Sequence, residues 1–122
     1  MSGNRGFTLV ELAAVIAIIG LLYAAGVPVY EKAVIRARES ALLENLKVMR
    51  QAIDQYYRDN MAYPEKLEDL VEKRYLRRIP DDPLTGMADW GTEPSGDELQ
   101  DIYDVRSLSS DSSLDGTSYS EW

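Results

Sequence analysis

Cysteine and histidine are both missing from this 122-residue chain. Without cysteine no disulfide can staple a small domain, and without histidine the commonest general base and transition-metal ligand is gone. Catalysis is disfavoured before any motif is considered. Phenylalanine occurs once, at Phe7, and from Glu31 to Asn60 there is neither glycine nor proline. Positive charge is scarce toward the end, where Arg106 is the only basic residue after Arg78 although acidic residues recur throughout. With a net charge of −8, such a surface repels nucleic acid and anionic lipid and leaves cations or basic groups as partners. The plainer reading is an acidic surface that keeps an assembly soluble.

What is present in abundance is apolar length. From Phe7 to Tyr30, FTLVELAAVIAIIGLLYAAGVPVY, the only charged residue is Glu11. A helix over this stretch is about 36 Å long, enough to cross a bilayer core. Being apolar on every side, it calls for lipid or a bundle of identical helices around it, which no small soluble domain supplies. A cleaved secretory signal, with Ala24-Ala25-Gly26 before its cut, would need a shorter apolar run and no acid near its start. A plain anchor with Glu11 reaching the interface is the better simple alternative. About ninety residues remain after the span, room for one small domain.

Ahead of the span lies a short polar leader carrying Arg5 and ending at Gly6, followed by Phe7-Thr-Leu-Val-Glu11-Leu. This pattern resembles the class III signal of the type IV pilin-like family, which includes type IV pilins and the pseudopilins of type II secretion. The resemblance implies cleavage by prepilin peptidase between Gly6 and Phe7, N-methylation of Phe7, and Glu11 as the fifth residue of the mature chain. It also implies an amino terminus in the cytoplasm. Counting charge gives the opposite orientation, since Lys32, Arg36 and Arg38 follow the span.

Beyond the span, Ile35, Leu42, Met49 and Tyr56 recur every seven residues with Leu46 and Ile53 between them, one apolar stripe on a charged helix reaching to about Asn60. Arg36, Arg38, Glu39, Glu44, Lys47 and Arg50 are assigned to its solvated or inter-subunit face. Pro28 removes a backbone donor, so the helix is expected to kink or loosen near Ala24, with Gly20 weakening an earlier turn. In pilin-like filaments the helix is commonly unwound between a glycine and a proline in these places; a static kink is the alternative. A second helix is expected over 64–73 with Leu67, Leu70 and Val71 facing the first, and then a turn-rich Pro80-Asp-Asp-Pro83. Strands are expected at Met87–Trp90, weakly, and at Ile102–Leu108, joined by a turn over Gly91–Gly96. In the second of these, Ile102, Asp104, Arg106 and Leu108 would share one side of the pleat. Asp81 and Asp82 are the only basis for a hydrolase, and carboxylates beside proline are usually turn residues.

Tyr63-Pro64, Ile79-Pro80, Asp82-Pro83, Gly86 and Trp90 together resemble the major pseudopilin of type II secretion. The Ser107-Leu108-Ser109-Ser110-Asp111 stretch and Trp122 continue the likeness into a tail that composition alone reads as flexible. No cofactor is required by this reading. The resemblance does imply a calcium-holding loop with Asp111 and Asp115 as ligands and Leu108 beside them, although Ser118 and its neighbours stand where the family places further aspartates. Hydrogen bonds from Ser and Thr, with Trp122 packed back on the domain, are the other way to order the loop.

The resulting expectation is an α+β, type IV pilin-like fold: a long N-terminal helix, transmembrane in its first half, with a small antiparallel sheet and a short helix on its second half. Residues 1–6 form the cleaved leader, 7–30 the transmembrane and filament-core helix, and 31–122 a periplasmic domain. The function implied is a non-enzymatic major pseudopilin, polymerising from the inner membrane into a periplasmic pseudopilus that drives protein export across the outer membrane. Its partners would be copies of itself in a helical filament, the peptidase, minor pseudopilins and an inner-membrane assembly platform. A surface-exposed type IV pilin for adhesion or motility is the alternative.

Overall fold

The computed structural model describes residues 6–122; Met1 to Arg5 of the expected leader lie outside the described residues. Helix α1 runs Leu9–Asn60 and contributes to two compact units, one ending at Ile35 and the other spanning Arg36–Trp122. It begins two residues later than the apolar run. Thr8 stops it there: its Oγ1 accepts the Glu11 amide at 3.1 Å and its carbonyl accepts the Leu12 amide at 3.1 Å, an N-cap. The helix is assigned without a break through Gly20, Gly26 and Pro28. In its first part the large apolar side chains stay exposed, Leu9 at 86 % and Leu21 at 71 %. Among the described residues this is the one helix long and apolar enough to cross a membrane.

In the second unit the seven-residue stripe becomes the core. Leu42, Leu46, Met49, Ile53 and Tyr56 are buried together with Ala52, and Ile35 is half-buried. Onto this face pack Leu67 and Leu70 from α2, then Leu76, Trp90, Ile102, Val105 and Tyr119. Burying each Leu-sized side chain contributes about 1.5–3 kcal/mol, which lets a domain without disulfides hold together.

Helix α2 is Leu67–Glu72, shorter than the stretch that begins at Pro64. Lys66 is extended (φ −139°), and the Asp69 carboxylate accepts the amides of Glu65 and Lys66, so the first turn cannot start earlier. Pro64 is buried, and its carbonyl accepts the Ile102 amide at 2.8 Å, a tertiary bond where a helical one was expected. Arg74 ends the segment in the left-handed region (φ 66°), where the Tyr75 amide reaches back to Leu70 O at 2.8 Å.

The sheet is antiparallel and two-stranded: β1, Gly91–Glu93, against β2, Asp104–Arg106, with Gly91 opposite Arg106 and Thr92 opposite Val105. The first strand therefore lies inside the expected turn. Met87 cannot serve, because its carbonyl is tied to the Asp82 amide and the Gly86 amide to Asp82 O, closing a turn over these residues. Gly91 is needed for close approach: a β-carbon there would stand 2.7 Å from Arg106 Cγ. In β2, Val105 is buried between half-buried neighbours. Ser107 beyond it is also buried while Leu108 is exposed, so Val105 and Ser107 share the inward side and Asp104, Arg106 and Leu108 the other, the expected alternation. Ile102 lies outside the paired residues and is buried independently of that alternation.

The Ser- and Asp-rich tail is ordered. Ser112 and Ser118 form an isolated bridge, the Ser113 amide donates to Thr117 O at 2.7 Å, and Gly116 takes a positive φ of 92° in the turn between them. A single 3₁₀ turn, Tyr119–Glu121, follows. The arrangement as a whole is the type IV pilin-like α+β fold.

Candidate functional site

The expected functional residues fall in two places. In the first unit, Gly6, Phe7 and Glu11 are all exposed, and Gly20 and Pro28 sit within α1. Glu11 occupies the third position of the helix, with its amide held by Thr8. Acid in a first helical turn is favoured by the aligned peptide dipoles, and Thr8-x-x-Glu11 has the spacing of a capping box, a signal legible in the sequence but not used above. Neither ion pair among the described residues involves Glu11.

In the second unit, the tail from Ser107 onward is clasped by side chains of α1. Glu39 Oε1 accepts both the Leu114 amide at 3.0 Å and the Tyr119 hydroxyl at 2.8 Å. Arg50 donates to Asp104 Oδ1 at 2.7 Å, to the Val105 carbonyl at 3.1 Å and to the Trp122 backbone oxygen at 2.7 Å. Both residues had been assigned to a solvated or inter-subunit face. Their spacing contradicts that assignment: Glu39 and Arg50 stand three before Leu42 and four after Leu46, on the buried stripe.

Within the loop, Asp115 Oδ1 accepts from the Ser113 hydroxyl, from Thr117 Oγ1 at 2.7 Å and from the Thr117 amide at 3.0 Å. Those bonds, the Ser113 hydroxyl foremost, hold its carboxyl down at about 2. Burial, assisted by the bond to Glu39, pushes the Tyr119 phenol up to about 12. Trp122 packs edge-on against Tyr119 with ring centroids 5.2 Å apart, and its indole donates to Thr117 Oγ1 at 2.9 Å. Asp111 is engaged through its backbone, its amide donating to Ser109 Oγ and its carbonyl accepting from Tyr119. Leu108 is exposed. Among the described residues, no three His, Cys, Asp or Glu side chains gather closely enough to hold a metal ion.

The Asp81-Asp82 pair is split. Asp82 is fully buried, its Oδ2 accepting from Ser107 Oγ at 2.5 Å and its Oδ1 from the Leu84 amide at 2.8 Å, while Asp81 is exposed. A carboxylate so enclosed is a structural pin and cannot meet a substrate.

Comparison with known proteins bears on both places. Residues 1–26 match the prokaryotic N-terminal methylation motif. The chain is 33% identical over 96 residues to the type II secretion system core protein G of Pseudomonas aeruginosa, covering 66% of this chain and 68% of that protein. To the protein of the same name from Klebsiella pneumoniae it is 32% identical over 109 residues, covering 76% and 74%. Likeness to the type IV major pilin protein PilE1 of Neisseria gonorrhoeae, 38% identical over 62 residues, covers 51% of this chain and 38% of that one. No solved structure matches significantly. Because the core protein G relatives, at 32–33% identity, cover 66–76% of this chain and 68–74% of their own length, whereas the pilin likeness covers about half the chain, this chain belongs to the type II secretion system core protein G family.

Proposed function

We propose that this chain is the major pseudopilin of a type II secretion system, a structural subunit without catalytic activity. The observation that carries the reading is the uncovered apolar first part of α1, most of which lies within the methylation motif matched over residues 1–26. Cut between Gly6 and Phe7 and N-methylated at Phe7, the chain stays anchored in the inner membrane with residues 31–122 in the periplasm. Copies then pack their apolar helices into a helical filament, added from an inner-membrane platform with minor pseudopilins at hand, and the growing filament pushes folded proteins toward the outer membrane. Glu11, Gly20 and Pro28 serve this assembly. A side chain at Gly20 would meet no other part of the chain within 4 Å, so packing inside the single subunit does not require glycine there.

Mass spectrometry of the membrane-extracted protein should find N-methylated Phe7 as the first residue. An intact leader, or a terminus near Val27, overturns the processing. Deleting the gene should stop export of folded substrates, and returning it should restore export. Surface filaments with no effect on export would instead support the pilin reading, which the PilE1 likeness favours over part of the chain.

A further inference from the structure

We infer that the C-terminal loop of this chain is closed by its own side chains, with Glu39, Asp115 and Arg50 doing the ordering that a calcium ion is expected to do in this family. Calcium takes six to eight oxygen ligands with lone pairs free to face it. Here one carboxylate oxygen each of Asp115 and Glu39 is already turned toward protons. Asp115 Oδ1 faces three donors, the hydroxyls of Ser113 and Thr117 and the Thr117 amide. Glu39 Oε1 faces two, the Leu114 amide and the Tyr119 hydroxyl.

The backbone carbonyls are committed in the same way. Thr117 O accepts the Ser113 amide, Ser113 O the Gly116 amide and Asp111 O the Tyr119 amide. The only acidic side chains after Asp104 are Asp111, Asp115 and Glu121, and they do not converge. Positive charge reaches this end of the domain by another route. The Arg50 guanidinium, covalently part of α1, binds the Trp122 and Val105 oxygens and the Asp104 carboxylate at once. A fixed cation with charge-assisted bonds orders the terminus without an ion having to be captured.

Ser113 and Thr117 therefore act on Asp115 as donors, and these local bonds stabilise its carboxylate without a cation. The glycine at 116 and the hydroxyls on either side give the turn its geometry locally.

The test reads the folded chain's stability, so its outcome is distinct from that of the secretion role. Full-length protein in detergent micelles is melted in excess chelator and in millimolar calcium, following Trp fluorescence and limited proteolysis within 111–118. The expected result is one Tm and one cleavage rate in both conditions. Tyr119→Phe should lower Tm and speed cleavage equally with and without calcium, and Glu39→Gln, which keeps an acceptor, should do so less. A calcium-dependent rise in wild-type Tm that disappears in Asp111→Ala overturns the inference, because binding to the folded state must stabilise it. So does unchanged loop protection in both Tyr119→Phe and Glu39→Gln.

Discussion

Cells producing Glu11→Leu are expected to hold normal amounts of the subunit in their membrane fraction and to make no filament from it. The substitution removes a charge whose placement inside a span costs on the order of 3 kcal/mol, so insertion is helped. What the helix itself loses is a favourable dipole interaction of about 0.3–1 kcal/mol, while the Thr8 cap on the Glu11 amide is a backbone bond that leucine keeps. Neither change explains a failure to assemble. The loss is expected between copies: under the proposed processing the new amine at Phe7 is a positive charge in the same apolar setting, which the exposed Glu11 carboxylate of another subunit would neutralise. Leaving either charge unpaired in low dielectric is the larger penalty. Glu11→Asp, with the charge set back by one methylene, should be intermediate. Comparing membrane abundance with cross-linked or sheared filament in the same cells decides the matter, and normal filaments from Glu11→Leu would reduce Glu11 to a tolerated interfacial charge.

Asp82→Ala is expected to destabilise the domain by about 3 kcal/mol, because it strands the Ser107 hydroxyl and the Leu84 amide in a site closed to water. That is a large share of the roughly 5–15 kcal/mol a small domain possesses. Asp81→Ala, one residue away at an exposed position, should change stability by less than about 0.5 kcal/mol. The contrast between adjacent aspartates is the check. Denaturant unfolding can be followed at Trp90, whose indole donates to Pro80 O at 2.8 Å beside the site. Equal effects of the two substitutions would refute the role given to Asp82.

The parts of this structure legible in the sequence are those set by local periodicity. The apolar span, the stripe from Ile35 to Tyr56 and the inward Leu67, Leu70 and Val71 follow from helical spacing; the stripe is buried from Leu42 on, as are Leu67 and Leu70, while Ile35 and Val71 are half-buried. The first strand falls outside the expected Met87–Trp90 and the second is only the middle of the expected Ile102–Leu108, because three-residue strands carry almost no period. Gly91 reads as a turn residue, and only the Arg106 side chain across the ladder explains why glycine stands in a strand. Polar residues were misread for a related reason. Glu39 and Arg50 look like solvated charges until the tail is seen to bring its amides, hydroxyls and carbonyls to them. In the tail, composition suggested flexibility, yet the same Ser, Thr and Asp residues satisfy one another in a turn.

The bonds that clasp the tail are also long-range in sequence. Glu39 and Tyr119 are 80 residues apart and Arg50 and Trp122 are 72 apart, whereas Lys73 and Asn60, which join the end of α2 to α1, are separated by 13. Loop-closure entropy rises with the logarithm of that separation, so the pairing of α1 with α2 comes at lower entropic cost than the closing of the tail onto α1. Without the tail, the helix face beneath Val105 and Tyr119 lacks part of its cover. The last residues of the chain thus do two things at once: they complete the cover of an apolar helix face and they give Arg50 its backbone partner at Trp122.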